Sequence, residues 1–280
     1  MKELNNKKVL ITGGARGIGK QIALEFARQG ADIIICDSDK SFFNKNKFKK
    51  NIKEIEDIGV SCYGFYLDVT QYEDVKRERR SILDMVGKID VLVNNAGVVF
   101  GGKFLEVPIK KHQLTYNVNT HGIINMLHVF LQDLIDQPTA HIVNISSASG
   151  FVPLPGGSTY ASSKAAVTSL SESLHTELKK NGNEHVGMTI VCPGYVQTGM
   201  FDGAKNPILV PILTPEKLAK KIVRAVQKNK RFVLEPAFIK FLPFIKGVFP
   251  QFILDFFGYA MGVNRSMDLW KGHSKTDTHP

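Results

Sequence analysis

Cysteine is scarce in these 280 residues: Cys36, Cys62 and Cys192 form an odd, scattered set. Their spacing excludes a metal cluster and a disulfide framework, so they read as small buried hydrophobes in a reducing compartment. Long hydrophobic runs are also missing. The apolar run after MKELNNKK stops at glycines within a few residues, reading as neither secretory signal nor membrane anchor. Later runs fall short of the roughly 20 apolar residues that span a bilayer. There is no internal repeat and no low-complexity linker. Acidic residues are outnumbered 26 to 36, for a formal charge of +10. The basic clusters at 45–53 and 217–231 have few interleaved aromatics and no nucleic-acid motif, so no nucleic-acid partner is expected. Attraction to anionic cofactors or anionic lipid surfaces is the simpler use of the charge.

At 43% hydrophobic and 22% charged, the chain has the composition of an ordinary folded domain. Short apolar strands alternate with helical patterns. Strands are expected at Val9–Thr12, Asp32–Cys36, Ser61–Leu67, Asp90–Asn94, His141–Ser146 and Val186–Cys192. Helices are expected at Gly17–Gln29, in the lysine-rich stretch to Asp57, at Tyr72–Met85, at Ile109–Leu134 and around Tyr160. Near-continuous apolar strands separated by helices predict an α/β fold: one doubly wound parallel sheet covered on both faces. The expected division is a catalytic domain over residues 1–235 and a phenylalanine-rich extension over residues 236–280.

Gly13, Gly17 and Gly19 clear side chains from the turn between the first strand and helix. Backbone N–H groups and the helix dipole there suit a pyrophosphate. Asp37 closes the second strand, where an acid can accept hydrogen bonds from an adenosine ribose and would repel a 2′-phosphate. That favours NAD over NADP. Arg16 points the other way, and Asp37 read simply as a helix cap is the plain alternative.

Ser147 is followed thirteen residues later by Tyr160, with Lys164 four residues further on. Positions i and i+4 share a helix face. A phenol titrates near pH 10, and a neighbouring ammonium favours its ionised form. A serine hydroxyl nearby could hold a substrate oxygen while the tyrosine exchanges a proton with it. Taken alone, Y-x-x-x-K is a common pattern.

Together with Thr12-Gly13-Gly14-Ala15-Arg16-Gly17-Ile18-Gly19, Asp68-Val69, Asn94-Asn95-Ala96-Gly97, Asn119 and Pro193-Gly194-Tyr195-Val196-Gln197-Thr198, the triplet resembles the classical short-chain dehydrogenase/reductase family. The pieces stand in the family's order from Lys8 to about Arg231. The resemblance implies a Rossmann-type fold with Tyr160 as general acid/base and Lys164 lowering its pKa and bonding the nicotinamide ribose. Ser147 would orient the substrate, and Asn119 would hold a water linking Lys164 to solvent, or merely relieve a helix kink. Gly13, Arg16, Gly17, Ile18, Gly19, Asp37, Asp68, Val69, Asn95, Val196 and Thr198 would contact the cofactor, whereas Asn94 would tie strands together. No metal site is expected. A homodimer or homotetramer built on the helices at 109–134 and 159–178 is implied as well.

Eight of the eighteen phenylalanines lie between 232 and 257, and the segment from Gly199 to Pro215 is apolar and broken by proline. Three roles for the tail stay open: core or subunit interface, lid over a lipophilic pocket, or membrane-surface element. The tail is also similar to those of 17-beta-hydroxysteroid and retinol dehydrogenases. The expected function is an NAD(P)-dependent oxidoreductase of a lipophilic alcohol or ketone that is steroid-, retinol- or long-chain-like. Alternatives are a small polar carbonyl substrate or a non-enzymatic NAD-binding, lipid-associated scaffold. A cytoplasmic protein is expected, with peripheral membrane contact open.

Overall fold

Seven strands run parallel because each carries a β-rich apolar core and is joined to the next by a helix or long crossover. In the computed structural model, which describes residues 1–43, 45–204 and 211–272, the first half holds β1 (Lys8–Thr12), α1 (Gly17–Ala27), β2 (Asp32–Asp37), α2 (Lys45–Glu56), β3 (Cys62–Tyr66), α3 (Tyr72–Val86) and β4 (Val91–Asn94). Then follow α4 (Ile109–Tyr116), a π-turn over Asn117–His121, α5 (Gly122–Ile135), β5 (Ala140–Ile145), α6 (Ser158–Lys180) and β6 (Val186–Pro193). The last elements are α7 (Pro215–Gln227), β7 (Phe232–Glu235), α8 (Leu242–Val248) and α9 (Gln251–Ala260). The strand order is β3-β2-β1-β4-β5-β6-β7, all pairs parallel. The chain reverses its direction across the sheet between β1 and β4, which opens a crevice at the strands' carboxyl ends.

The core lies in two layers, one on each sheet face. Val9, Ile11, Ile33 and Ile35 pack with Ile22 and Phe26 of α1 and Ile222 of α7. Leu10, Ile34 and Leu92 face the other way, onto Ile82 of α3 and Met126 and Phe130 of α5. Side chains alternate across the pleat, yet both faces are covered, so the strands are apolar throughout. Burying each such side chain stabilises the fold by roughly 1.5–3 kcal/mol.

The expected strands and helices are observed, and α7, α8 and α9 add helices where none was expected; two further differences concern the helix at 109–134 and the tail. The helix expected over 109–134 is interrupted by the π-turn at Asn117–His121, where the Asn119 side chain bonds the Val98 backbone in the loop after β4. The first residues of the phenylalanine-rich tail form a seventh strand, pairing Val191 with Val233. Four residues of alternating burial are too few to separate from a tail by pattern. The part of the apolar segment at 205–210 and the end of the extension at 273–280 lie outside the described residues.

Candidate active site

The glycine turn is built from both ends. Gly13 and Gly17 have φ of +62° and +58°, a region that side chains disfavour. A Cβ on Gly19 would fall 2.2 Å from the Gly13 carbonyl oxygen. The Thr12 hydroxyl accepts from the N–H groups of Asn95 (3.0 Å) and Ala96 (3.1 Å), tying β1 to the exit of β4. Asn95, expected to line the cleft, donates its amide to the carbonyls of Thr12 and Gly13, both at 2.9 Å. No side chain caps the start of α1. A narrow turn running into an uncapped helix N-terminus fits a dinucleotide pyrophosphate. Ile18 packs against the first core layer.

At the end of β2, the Asp37 carboxylate accepts from Ala15 N–H at 3.1 Å and from Asp39 N–H at 3.0 Å. Burial raises its pKa, with those two hydrogen bonds opposing. Arg16 pairs with Asp39 at 3.8 Å. Asp39 was not singled out from sequence, since one more acid after a strand reads as an ordinary loop residue. Asp68 follows β3 and accepts from both the N–H and hydroxyl of Thr70. Val69 is buried beside Gly122, where a Cβ would lie 2.6 Å from a Val69 methyl. Beyond β6, Thr198 reaches back to the turn: its methyl lies 3.6 Å from where a Gly17 Cβ would stand. Val196 forms an isolated bridge with Leu213. Asn94 donates to Asn144 at 2.8 Å, tying β4 to β5.

The catalytic candidates come from three elements: α6, the π-turn and the turn after β5. Along α6, Tyr160, Ser163, Lys164, Val167 and Ser171 share the buried face, at helical spacing. Lys164 donates to the Ile145 carbonyl at 2.8 Å, and its ammonium lies 5.8 Å from the centre of the Tyr160 ring. Asn119 is fully buried; its carbonyl oxygen accepts from Val98 N–H at 2.8 Å, and its amide donates to Ser163 Oγ at 3.0 Å. Gly97 lies between the two groups: a Cβ there would stand 3.3 Å from Asn119 Oδ1 and 3.5 Å from Lys164 Nζ. Ser147 caps a 3-10 turn at the end of β5, accepting from Ser149 N–H at 3.2 Å and Ser149 Oγ at 2.9 Å.

The electrostatics differ from the expectation that Lys164 lowers the Tyr160 pKa. Burial pushes the phenol up to about 12, with the Ser147 hydroxyl bonding against that rise. Burial also lowers the Lys164 ammonium to about 8. Desolvation disfavours the charged form of both groups, and the ammonium spends a proton on the Ile145 carbonyl. At neutral pH this leaves a protonated phenol able to donate.

The wall around Tyr160 is mostly apolar, with the Ser147 and Tyr195 hydroxyls as its polar neighbours. Val99, Leu154, Ala161 and Met267 are buried against it, with Phe201 edge-on at 5.6 Å. Met267 and Trp270 were not singled out from sequence, because their place depends on the tail folding back onto the loops around Tyr160.

Residues 7–207 match the family model for short chain dehydrogenases. The chain is 33% identical to mouse epidermal retinol dehydrogenase 2, over 89% of this chain and 80% of that protein. Its fold is similar to a short-chain dehydrogenase/reductase from Burkholderia phymatum in complex with NAD, at TM-score 0.77 and 26% identity, covering 87% of this chain and 94% of that one. An alcohol dehydrogenase from the archaeon Thermococcus sibiricus, complexed with 5-hydroxy-NADP, superposes at TM-score 0.71 and 26% identity, covering 82% and 95%. The chain belongs to the short-chain dehydrogenase/reductase family. It is an NAD(P)-dependent oxidoreductase acting on CH–OH groups.

Proposed function

We propose that this protein interconverts a lipophilic alcohol and its carbonyl form, steroid-, retinol- or long-chain-like, with Tyr160 exchanging the proton. The observation that carries the reading is the enclosure of the Tyr160 phenol by Val99, Leu154, Ala161, Met267 and Phe201. Beyond the reacting oxygen, which Ser147 and Tyr160 bond, further polar groups of a substrate would lose hydration against these side chains. The similarity to a protein named a retinol dehydrogenase points the same way. When bound, the nicotinamide supplies the hydride chemistry.

The protein's own groups handle the proton and the alignment. Ser147 bonds the substrate oxygen beside Tyr160, and Tyr160 donates to it in reduction or accepts from it in oxidation. Lys164 lends positive charge to the phenolate of the oxidative direction and, with Asn119 across Gly97, leads protons towards solvent. Gly13, Gly17, Gly19 and Ile18 seat the pyrophosphate, Asp68 and Val69 flank the adenine, and Val196 and Thr198 flank the nicotinamide. Asp37 takes the adenosine ribose. With Arg16 engaged by Asp39, this end favours NAD.

A cofactor-coupled absorbance screen over steroids, retinoids, long-chain alcohols and small polar ketones tests the reading. Turnover is expected on the lipophilic classes, and Tyr160→Phe should lower it by about 10²–10⁴ while retaining dinucleotide binding. Retained activity in that variant would remove Tyr160 from the reaction. Turnover confined to small polar ketones would overturn the substrate class.

The tail's exposed aromatics, Phe241, Phe244 and Phe252 among them, favour a membrane-surface role over extra core. No helix among the described residues is long and apolar enough to cross a membrane. Flotation with anionic vesicles, for wild type and for a variant with Phe241, Phe244 and Phe252 changed to Ser, tests the contact while leaving β7 in the sheet.

A further inference from the structure

We propose that Met267 and Trp270, returned over Tyr160 by the last described turns of the chain, roof the substrate chamber and set the length of substrate it accepts. This rests on Tyr160 being the group that meets the substrate oxygen.

Three observations carry the roof. Met267 is 4% exposed and packs in the same apolar group as Tyr160, with Trp270 against it. The segment is clasped to the loop after β6: Trp270 Nε1–H donates to the Met200 carbonyl at 3.1 Å, and Lys271 N–H to the Asp202 carbonyl at 2.8 Å. That loop also supplies Phe201, which stands edge-on to Tyr160 at 5.6 Å and to Tyr195 at 5.1 Å.

The seat beneath the segment is made by glycines from three separate loops. A Cβ on Gly101 would meet the Trp270 indole at 2.7 Å and the Met267 methyl at 2.9 Å. One on Gly156 would meet Met267 Cβ at 2.9 Å, and one on Gly203 the Leu269 carbonyl at 2.0 Å. A tail lying loosely on the surface would not require three bare backbone positions under it. The roof is therefore fitted, and its side chains fix how far an alkyl chain can extend from the phenol. Each methylene brought into or out of apolar contact changes kcat/KM by about fourfold.

The test uses the full chain with NAD and a homologous series of unbranched alcohols from butanol to dodecanol. Met267→Ala and Trp270→Ala should move the optimum to longer alcohols, with KM for the wild-type optimum rising about tenfold and dinucleotide affinity unchanged. Gly203→Ala lifts the segment while leaving both roof side chains in place. It should give the same shift and a red-shifted emission from Trp270, the chain's single tryptophan. Wild-type Trp270 emission should also change as each alcohol is titrated in, which reads binding without turnover. An unchanged chain-length profile in all three variants, or Trp270 emission blind to every alcohol, overturns the roof. Activity retained in Tyr160→Phe sinks the site reading instead, so the two failures are distinguishable.

Discussion

The turn at the end of β1 and the segment after Pro236 are held by different forces. In β1, Val9, Leu10 and Ile11 are fully buried and paired to neighbours on both sides, so the turn that follows has little freedom. After Pro236, Phe241, Phe244 and Phe252 are 60%, 67% and 72% exposed, and contact with the domain narrows to buried residues such as Ile239 and Met267. The side proposed for the cofactor is rigid through the sheet. The side proposed for the substrate is shaped by loops and a returning tail, and such segments can vary without disturbing β1. A scaffold that holds one cofactor while its substrate changes is best divided in this way.

The largest break in that comparison comes from the residue joining the two sides. Lys164→Met should lower alcohol oxidation by at least about 100-fold, because a buried phenolate then lacks its nearest cation. The same change should stabilise the fold at neutral pH. The folded-state pKa of Lys164 is lowered to about 8 from an ordinary 10.5, so below pH 8 a buried charge is carried at a cost. Between those values Lys164 holds its proton in the unfolded chain but not in the folded one, so its own contribution to stability rises with pH. The buried Cys36, Cys62 and Cys192 thiols and the Tyr160 phenol, all pushed up by burial, act the other way at the alkaline end of the window. Urea titrations should therefore show the stability of wild type rising relative to Lys164→Met across that window, and a flat difference would remove Lys164 as the titrating group.

Gly19→Ala strikes the cofactor side alone. Its Cβ would lie 2.2 Å from a backbone oxygen and 2.5 Å from the Asn95 amide, so the turn must shift. Overpacking of this kind costs about 1–3 kcal/mol. Calorimetry should register that loss, and dinucleotide titration should show weakened binding. An unaltered dinucleotide affinity would mean the turn tolerates the shift and is not fitted to phosphate. Asp37→Ala acts at the edge of the same crevice. Losing the carboxylate should raise NADP use relative to NAD by about tenfold, as one unfavourable charge contact is removed. A wild-type protein that already binds NADPH more tightly than NADH would refute that role for Asp37.

The same division explains what could be read from the sequence. Six strands, the glycine turn and the Tyr160–Lys164 pair are local patterns: apolar runs, backbone-permissive residues and an i,i+4 spacing. The β7 strand was hidden because four residues, Phe232–Glu235, carry too little periodicity to stand apart from the aromatic tail. Asp39, Phe201, Met267 and Trp270 matter through contacts across the fold, which no local spacing encodes. The environment of Tyr160 is non-local in the same way. The Tyr–Lys spacing reports that a cation is near, whereas the burial that pushes the phenol up to about 12 comes from side chains far apart in the sequence, Val99, Leu154 and Met267 among them.

Phe244→Ser with Phe252→Ser probes the opposite extreme, where the smallest effect on stability is expected. Both rings are mostly exposed, so their removal forfeits little burial, and the melting temperature should stay within what about 0.5 kcal/mol produces. Catalysis on a water-soluble alcohol should likewise be unchanged. If the exposed aromatic face meets lipid, the double variant should still float less with anionic vesicles, since apolar insertion is lost while Lys240 and Lys246 remain. Equal flotation would remove these two rings from the attraction. A melting temperature several degrees lower would instead show that these rings are covered in solution, by a second copy of the chain.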